Sequence, residues 1–432
     1  MSTLLPPGGG AASVELNHIY LLDILGMIIK TMFDQILSLA NLEEAYLEII
    51  KEFSADHRNF KYHGLDNVFL KDLELRSQEI ISQVRSELSS FKELEPALSV
   101  KIPKNNKPGE FREIFVYNIK ERIKAQAIYR VVLPEFEKRY SKHLFSYRPG
   151  KPPHLAAKFF CQEYRRHFNN YGALIIDLKN YSDRISRELM FLKLKSLFDD
   201  ERILNILALF IFNKVYRGSE LELPPKGLIQ GVPLIALFVN LYLTEFDFKY
   251  QDQVDYYVRV GDDIALLDRD SKKLINLSDQ IFSDLNDLGL EINQSKKFLG
   301  LASEGFSYLG YHFNNGVISL EPNFVKRIET EWKRILAYKH YSLTAKISIL
   351  KKTMSREKTN FNNIFYLMVK SKPQINNSEQ IKKISESFFK ILTKFFYEKY
   401  SPRNRKKLKE LIAPFRINSL YKIYQKFHYE KR

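Results

Sequence analysis

The chain has 432 residues, of which 45% are hydrophobic and 27% are charged. This length and apolar content are enough for two or three domains with buried cores, so the composition excludes a disordered chain. Lys and Arg number 67 against 51 Asp and Glu, which gives a formal net charge of +16 at pH 7. An excess of this size predicts a polyanionic partner, with nucleic acid as the first candidate.

The cysteine content and the apolar runs narrow the class of protein further. The single cysteine, Cys161, excludes an intrachain disulfide and a cysteine-rich zinc module. No apolar run reaches membrane-spanning length, and the first residues lack the basic start of a signal peptide. We therefore predict a soluble protein of the reducing cytoplasm, without a membrane partner.

The first part of the chain predicts a tail and then helices. Residues 1–12 are rich in Pro, Gly and Ala, and from residue 14 onward apolar residues recur at three- and four-residue spacing. The same spacing predicts helices over residues 118–140, 185–216 and 235–248. Residues 1–55 are therefore predicted to be a flexible tail and a helical N-terminal extension.

Residues 101–114 predict a basic hairpin. Two short extended pieces flank an Asn/Pro/Gly turn, so Lys104 and Arg112 can project from one hairpin. Arg offers a planar fork and Lys a point charge, a pair that suits the phosphates of an incoming nucleotide. A solvated basic turn is the alternative.

Three aspartates lie beside strand-like runs. Asp177 ends the apolar run 173–177, and Asp262 and Asp263 follow Gly261 in the turn between two further apolar runs. Gly beside Asp supplies the positive φ of a tight hairpin. Adjacent strands would bring the three carboxylates together, where they could hold two Mg²⁺ ions roughly 3.5–4 Å apart, as nucleotidyl transfer requires. A solvated turn and an edge strand are the alternatives.

Three later segments can complete such a site. Gln230 lies in a Gly- and Pro-punctuated loop, where its amide offers both a donor and an acceptor to a base or sugar. Lys296 could reach a pyrophosphate leaving group as a general acid. From residue 321 onward the chain is helical in pattern, basic and aromatic, which suits nucleic acid; its densest cluster contains Arg403, Arg405, Lys406, Lys407 and Lys409. An ordinary helix start, an exposed lysine and a solvated helix face are the alternatives.

Taken in this order, the motifs over residues 63–313 resemble the reverse transcriptase family, in the bacterial branch related to group II intron enzymes. The segment that runs from Asp177 to Asp183 resembles the first catalytic motif, with Asp183 as a secondary carboxylate. The resemblance implies metal ligation by Asp177, Leu178, Asp262 and Asp263, and catalysis by these aspartates and Lys296. It implies nucleotide binding by Lys104, Arg112, Tyr181, Ser182 and Gln230, and nucleic-acid binding by Gly231, by Leu309, Gly310 and Tyr311 as the primer grip, and by the basic tail.

The same resemblance implies an α+β fold of the right-hand polymerase type. It would have fingers over residues 56–170, a palm with an antiparallel sheet over 171–320, and a helical thumb and C-terminal extension over 321–432. The implied activity is synthesis of cDNA from dNTPs on an RNA template, with two Mg²⁺ ions, or Mn²⁺, as cofactor.

The helical extensions resemble the unknown-group, defence-associated bacterial reverse transcriptases. No Cys- or His-rich endonuclease module and no acidic ribonuclease H pattern follows the palm. This resemblance implies a cytoplasmic bacterial enzyme that acts against bacteriophage with a noncoding RNA, as a homo-oligomer or with a second protein subunit.

Two departures from the family pattern leave the sugar of the product open. Val260 and Gly261 precede the two aspartates, and Gly-Asp-Asp is typical of viral RNA-dependent RNA polymerases. Ser182 stands where reverse transcriptases carry a bulky gate against the 2′-hydroxyl, with Tyr181 one residue earlier; Tyr181 is slightly favoured as the gate. A template-independent or RNA-synthesising polymerase and a catalytically silent nucleic-acid-binding scaffold are the alternative functions.

Overall fold

The computed structural model describes residues 31–55, 73, 75–103, 109, 111–336, 342–355 and 360–429. The predicted tail and Lys104 lie outside these residues. The chain divides into two compact units. The first contains Met1–Pro103, Gly109–Arg139 and Ser182–Tyr242, and the second contains Lys104–Pro108, Tyr140–Tyr181 and Leu243–Arg432. The domain boundaries drawn from the sequence stay predictions.

In chain order, the described α-helices are α1 (Met32–Ile36), α2 (Leu39–Ala55), α3 (Ser77–Ser89), α4 (Ile119–Arg139), α5 (Pro153–His167), α6 (Tyr181–Arg184), α7 (Arg187–Lys195), α8 (Glu201–Ile211), α9 (Pro233–Tyr242), α10 (Thr244–Gln251), α11 (Ser271–Asp287), α12 (Pro322–Ile335), α13 (Leu343–Ser355), α14 (Phe361–Ser371), α15 (Ser378–Tyr397), α16 (Pro402–Ile412) and α17 (Leu420–Tyr429). The described strands are β1 (Ala97–Pro103), β2 (Phe111–Val116), β3 (Gly172–Asp177), β4 (Val215–Arg217), β5 (Glu220–Glu222), β6 (Tyr256–Val260), β7 (Asp263–Asp268), β8 (Phe298–Leu301), β9 (Phe306–Tyr308), β10 (Tyr311–Asn314) and β11 (Val317–Leu320).

The first unit has a four-stranded sheet in the order β2-β1-β4-β5. The predicted basic hairpin is present as the antiparallel pair β1 and β2, in which Arg112 is the register partner of Ile102. The prediction of one helix over residues 185–216 is wrong in two respects: these residues contain two helices, α7 and α8, and α8 ends at Ile211 before β4 begins at Val215. A β-branched and an aromatic residue start β4, where Val215 and Tyr216 pair with β1 in parallel.

The second unit contains the predicted antiparallel sheet, in the order β6-β7-β3-β8. All six residues of β3 are buried, as expected of an apolar strand with neighbours on both sides. Helix α11 packs against this sheet through residues at helical spacing, Leu274, Leu277, Ile281 and Leu285, which are buried. The Asp270 side chain caps α11 by accepting hydrogen bonds from the backbone of Lys272 and Lys273.

A second, three-stranded sheet in the second unit has the order β11-β10-β9. Its aromatic side chains belong to the buried core of this unit, where the Phe306 and Phe313 rings stack with centroids 5.1 Å apart. Helices α12 to α17 follow, which confirms the helical prediction for the described residues after 321. The residues predicted as one helix over 235–248 form two helices, α9 and α10, that meet at Leu243.

Helices combined with antiparallel sheets confirm the predicted α+β class. None of the helices in the described ranges is both long and apolar enough to cross a membrane.

Candidate active site

The three predicted carboxylates lie together at one end of the second unit's sheet. Strands β6 and β7 form a hairpin whose turn contains Gly261, at φ +65°, and Asp262. Asp177, the last residue of β3, is the register partner of Asp263, the first residue of β7. The Leu178 backbone N–H donates to the Asp262 carbonyl oxygen over 3.0 Å, which holds the end of β3 against the turn. The strand alignment predicted from the sequence is therefore present.

Two side chains occupy the two oxygens of the buried Asp177 carboxylate. The Lys296 ammonium donates to Oδ2 over 2.5 Å, and the Asn293 amide donates to Oδ1 over 2.8 Å. The Ser295 hydroxyl in turn donates to the Asn293 amide oxygen over 2.8 Å, which fixes the direction of that amide. Burial opposes the charge of Lys296, but the hydrogen bond and the attraction of Asp177 raise the pKa of this ammonium.

The electrostatics of the cluster favour a cation. Burial, followed by repulsion from Asp262 and Asp177, raises the pKa of Asp263 to about 7. Clustered carboxylate oxygens are the donor type that Mg²⁺ prefers, so these residues fit a divalent cation. In the part of the chain that the structure describes, no three His, Cys, Asp or Glu side chains form a ready metal site. The donors on both oxygens of Asp177 are consistent with this, because a metal ion would have to displace one of them.

A buried ion pair fixes the turn that carries Asp262 and Asp263. The Arg259 guanidinium on β6 donates to Asp247 on α10 over 2.7 and 2.6 Å, and both side chains are fully buried. Arg259 also donates to the Gly261 carbonyl oxygen over 3.2 Å, and the Gly261 N–H donates to the Ser146 hydroxyl over 2.9 Å. These contacts fix the backbone of the turn.

The first unit brings Ser182 and Gln230 together. The Gln230 side-chain amide donates to the Ser182 hydroxyl, and Gln230 is exposed while Ser182 is partly exposed. The Leu228 N–H donates to the Ser182 carbonyl oxygen over 2.9 Å, which adds a backbone contact to the same pairing. Tyr181 is different, since its side chain is only 5% exposed.

Buried polar side chains anchor the loop that carries Gln230. Within the first unit, Arg187 donates to the Gly227 carbonyl oxygen over 2.7 Å, and the Tyr117 hydroxyl donates to the Ile229 carbonyl oxygen over 2.8 Å. Gly231 approaches the backbone so closely that a Cβ there would lie 2.6 Å from the Phe115 carbonyl oxygen. The loop conformation is therefore set by its neighbours as well as by its own sequence.

Arg112 and Asp183 also belong to the first unit. Arg112 is exposed on β2, as its predicted contact with a nucleotide requires. Burial, followed by repulsion from Glu113, raises the pKa of Asp183, and Arg217 and Arg112 oppose this shift.

The remaining predicted nucleic-acid contacts lie in the second unit. Leu309 and Gly310 form the turn between β9 and β10, and both have positive φ, +49° and +74°. The basic cluster lies on α16, where Arg403, Lys406, Lys407 and Lys409 are exposed and Arg405 is partly exposed. Among the described residues, none of these five has an acidic side chain within ion-pair distance, so their charges are available to a polyanion.

Sequence reasoning missed Asn293 and the pair formed by Asp247 and Arg259. Asn293 stands three residues before Lys296. Asp247 lies in a segment predicted as an ordinary helix. A charged residue inside the apolar strand 256–260 was the one available signal for a buried partner of Arg259.

Three comparisons relate the chain to known proteins. Residues 102–313 match the family described as reverse transcriptase (RNA-dependent DNA polymerase), whose members use divalent metal ions, typically Mg²⁺. No curated protein matches the chain significantly. Among solved structures, telomerase from Candida albicans in complex with a fragment of telomeric RNA is 16% identical, with a TM-score of 0.42 over 82% of this chain and 70% of that chain. The family match over residues 102–313 supports an RNA-directed DNA polymerase, a nucleotidyltransferase, as the enzyme class of this chain.

Proposed function

We propose that this protein synthesises cDNA on an RNA template, with Asp177, Asp262 and Asp263 as the ligands of two Mg²⁺ ions. The observation that carries the proposal is the register of β3 and β7, which places Asp177 opposite Asp263 and beside Asp262. These three carboxylates would hold the ions, and the chemistry that the ions would supply is activation of the primer 3′-hydroxyl and stabilisation of the charge of the triphosphate and its leaving group. Mn²⁺ is the alternative ion.

Residues around Asp177 are proposed to orient the metal ligands and to protonate the leaving group. Asn293 orients the Asp177 carboxylate, and the Leu178 carbonyl is proposed as a further oxygen ligand. Lys296 is proposed as the general acid for the pyrophosphate leaving group, and for this it must leave Asp177. Its side chain is 62% exposed, which allows that movement.

The nucleotide contacts are proposed on residues of the first unit and on Lys104, which lies outside the described residues. Lys104 and Arg112 would bind the triphosphate, and Ser182 with Gln230 would contact the sugar. Gly231 would allow close approach of the backbone to the template, and the turn of Leu309 and Gly310, which precedes the buried Tyr311, would contact the primer.

The biological setting is proposed from the resemblance of the extensions to defence-associated enzymes. In this setting the protein acts in the bacterial cytoplasm against bacteriophage, with a noncoding RNA as its template. A homo-oligomer or a second protein subunit would complete the assembly. Sequencing of the nucleic acid that copurifies with the protein tests the identity of that RNA.

Primer extension tests the proposed activity directly. With an RNA template, an annealed DNA primer and Mg²⁺, we expect extension with dNTPs that stops at the template end and requires the template. Extension with NTPs but not with dNTPs would indicate an RNA polymerase, and product without template would indicate a template-independent polymerase. RNA binding without any extension would indicate the silent scaffold and contradict the proposal.

The basic cluster on α16 is expected to bind nucleic acid through phosphates. Replacement of Lys406, Lys407 and Lys409 by Gln should weaken binding to an RNA–DNA duplex, because fewer counterions are then released. The slope of log affinity against log salt should fall in magnitude by about two to three, at about 0.9 per lost phosphate contact. The matched control replaces three exposed lysines elsewhere, Lys158, Lys195 and Lys272, by Gln. Equal slopes for the two triple variants would assign the cluster to solvent or to a protein partner.

A further inference from the structure

The turn between β9 and β10 is held by a lysine from another part of the second unit. Lys372, the residue that follows α14, donates from Nζ to the Leu309 carbonyl oxygen over 2.6 Å. The same ammonium lies 4.6 Å from the centroid of the Tyr311 ring, in a cation–π contact. A Cβ on Gly310 would lie 2.6 Å from this nitrogen. The ammonium therefore contacts Leu309 in the turn and Tyr311 at the start of β10, and it lies beside Gly310 between them.

The segment that begins at Lys372 is itself fixed to the small sheet. The Asn376 side chain accepts a hydrogen bond from the Ile318 N–H over 2.7 Å, and the Asn376 N–H donates to the Ile318 carbonyl oxygen over 3.0 Å. The Gln380 amide makes a matching pair with Leu320 on β11, with lengths of 2.7 and 2.9 Å. Lys372 therefore extends from a backbone that is attached to the same sheet as the turn.

The ammonium is held in an unusual environment for a lysine. Lys372 is largely buried, and this burial lowers its pKa. Its near contacts are a carbonyl oxygen and an aromatic face, which are weaker partners than a carboxylate. A lysine that served only to fill space could be replaced by an apolar residue without the cost of burying its charge.

We propose that Lys372 is a positioning residue for the primer. By bonding to Leu309 and covering Gly310 and Tyr311, it sets the conformation of the turn that would contact the primer strand. This inference rests on the proposed function, in which the turn is the primer contact. Lys372 itself touches no reacting atom.

Steady-state kinetics of single-nucleotide incorporation test the proposal. Lys372→Met keeps the apolar length of the side chain but removes the charge and the donor. We expect the KM for primer–template to rise about tenfold, which corresponds to the loss of one hydrogen bond from a charged donor. The kcat at saturating primer–template should stay unchanged. Lys372→Arg keeps the charge and the donor and should restore most of the affinity. The matched control is Lys370→Met, an exposed lysine two residues earlier that lies 5.9 Å from the Tyr366 ring.

The outcomes separate this inference from the proposed function. An inactive wild type would overturn the function, whereas an active wild type with equal KM values for Lys372→Met and Lys370→Met would overturn the positioning role. A fall in kcat without a rise in KM would also overturn it. If Lys372→Met fails to fold, Gly310→Ala provides the second test, since its Cβ would lie 2.6 Å from the ammonium nitrogen and would displace it. That variant should raise the same KM, and an unchanged KM would contradict the proposal.

Discussion

Replacement of Asp262 and Asp263 together by alanine is expected to abolish nucleotide incorporation, with a loss of about a thousandfold or more. Both residues lie at the hairpin turn opposite Asp177, and the activity proposed for the site depends on carboxylates that stabilise developing charge. Removal of one preorganised electrostatic group alone commonly costs about a hundred- to a thousandfold in rate. Primer extension under single-turnover conditions measures the loss.

The same double variant should fold at least as well as the wild type. Burial, followed by repulsion from Asp262 and Asp177, raises the pKa of Asp263 to about 7, so the folded state disfavours its ionised form. The contribution of Asp263 to the free energy of unfolding is greatest at low pH and falls as the pH rises through about 7. At pH 8 the ionised carboxylate therefore destabilises the folded state. In buffer that contains a chelator, thermal unfolding at pH 8 should therefore give a melting temperature at or above that of the wild type. Asp279→Asn, an exposed change on α11, is the control for both assays. Extension near the wild-type rate in the double variant would contradict the proposed metal site.

The sheet that carries the carboxylates could be predicted because its signals are local. An apolar run that ends in Asp177 and a hairpin punctuated by Gly261 can be recognised within a dozen residues each. Their alignment then follows because three carboxylates far apart in sequence are useful together only if the strands are neighbours. The end of the helix predicted to residue 216 failed for a related reason. The residues after Ile211 continue an apolar pattern, and their pairing with β1 is a long-range contact that the pattern does not contain.

The side chains that hold the candidate site residues in place could not be predicted from local sequence patterns. Asn293 and Lys296 reach Asp177 across more than a hundred residues of chain, and Lys372 reaches Leu309 across 63. A polar side chain in a turn has many available partners, and only the folded chain selects one of them. These residues set the direction of groups whose identity the sequence already suggests.

Discrimination between the two sugars is expected to be weak, because the residue proposed as the gate, Ser182, is a serine. In the first unit the Ser182 hydroxyl is bonded to the Gln230 amide, and a hydroxymethyl group leaves room where an aromatic ring would collide with a 2′-hydroxyl. One neutral hydrogen bond contributes about 1 kcal/mol, or about fivefold in selectivity. We therefore expect dNTPs to be preferred over matched NTPs by about that factor only.

The burial of Tyr181 shifts the expected gate from this residue to Ser182. Tyr181 is only 5% exposed, and its hydroxyl adds to the charge environment of the buried Arg259 within the second unit. A ring that belongs to a core would have to leave it before it could touch a nucleotide. Tyr181→Ala should therefore lower the free energy of unfolding by the several kcal/mol typical of a large-to-small change in a core, which a lower melting temperature would show. The sugar preference should stay unchanged.

Ser182→Phe is expected to raise the preference for dNTPs by about a hundredfold or to block both sugars, because the ring would fill the space beneath the sugar. The change also removes the hydroxyl to which Gln230 donates, so Gln230→Ala is the control that separates the lost hydrogen bond from the added bulk. That control should change selectivity by no more than about fivefold. Single-nucleotide incorporation with matched dNTP and NTP, on the wild type and these variants, gives the selectivity of each. If Tyr181→Ala alone admits ribonucleotides, the gate is Tyr181. If all variants share the wild-type preference, the sugar is selected by neither residue, and the contact between Ser182 and Gln230 serves only to hold the loop.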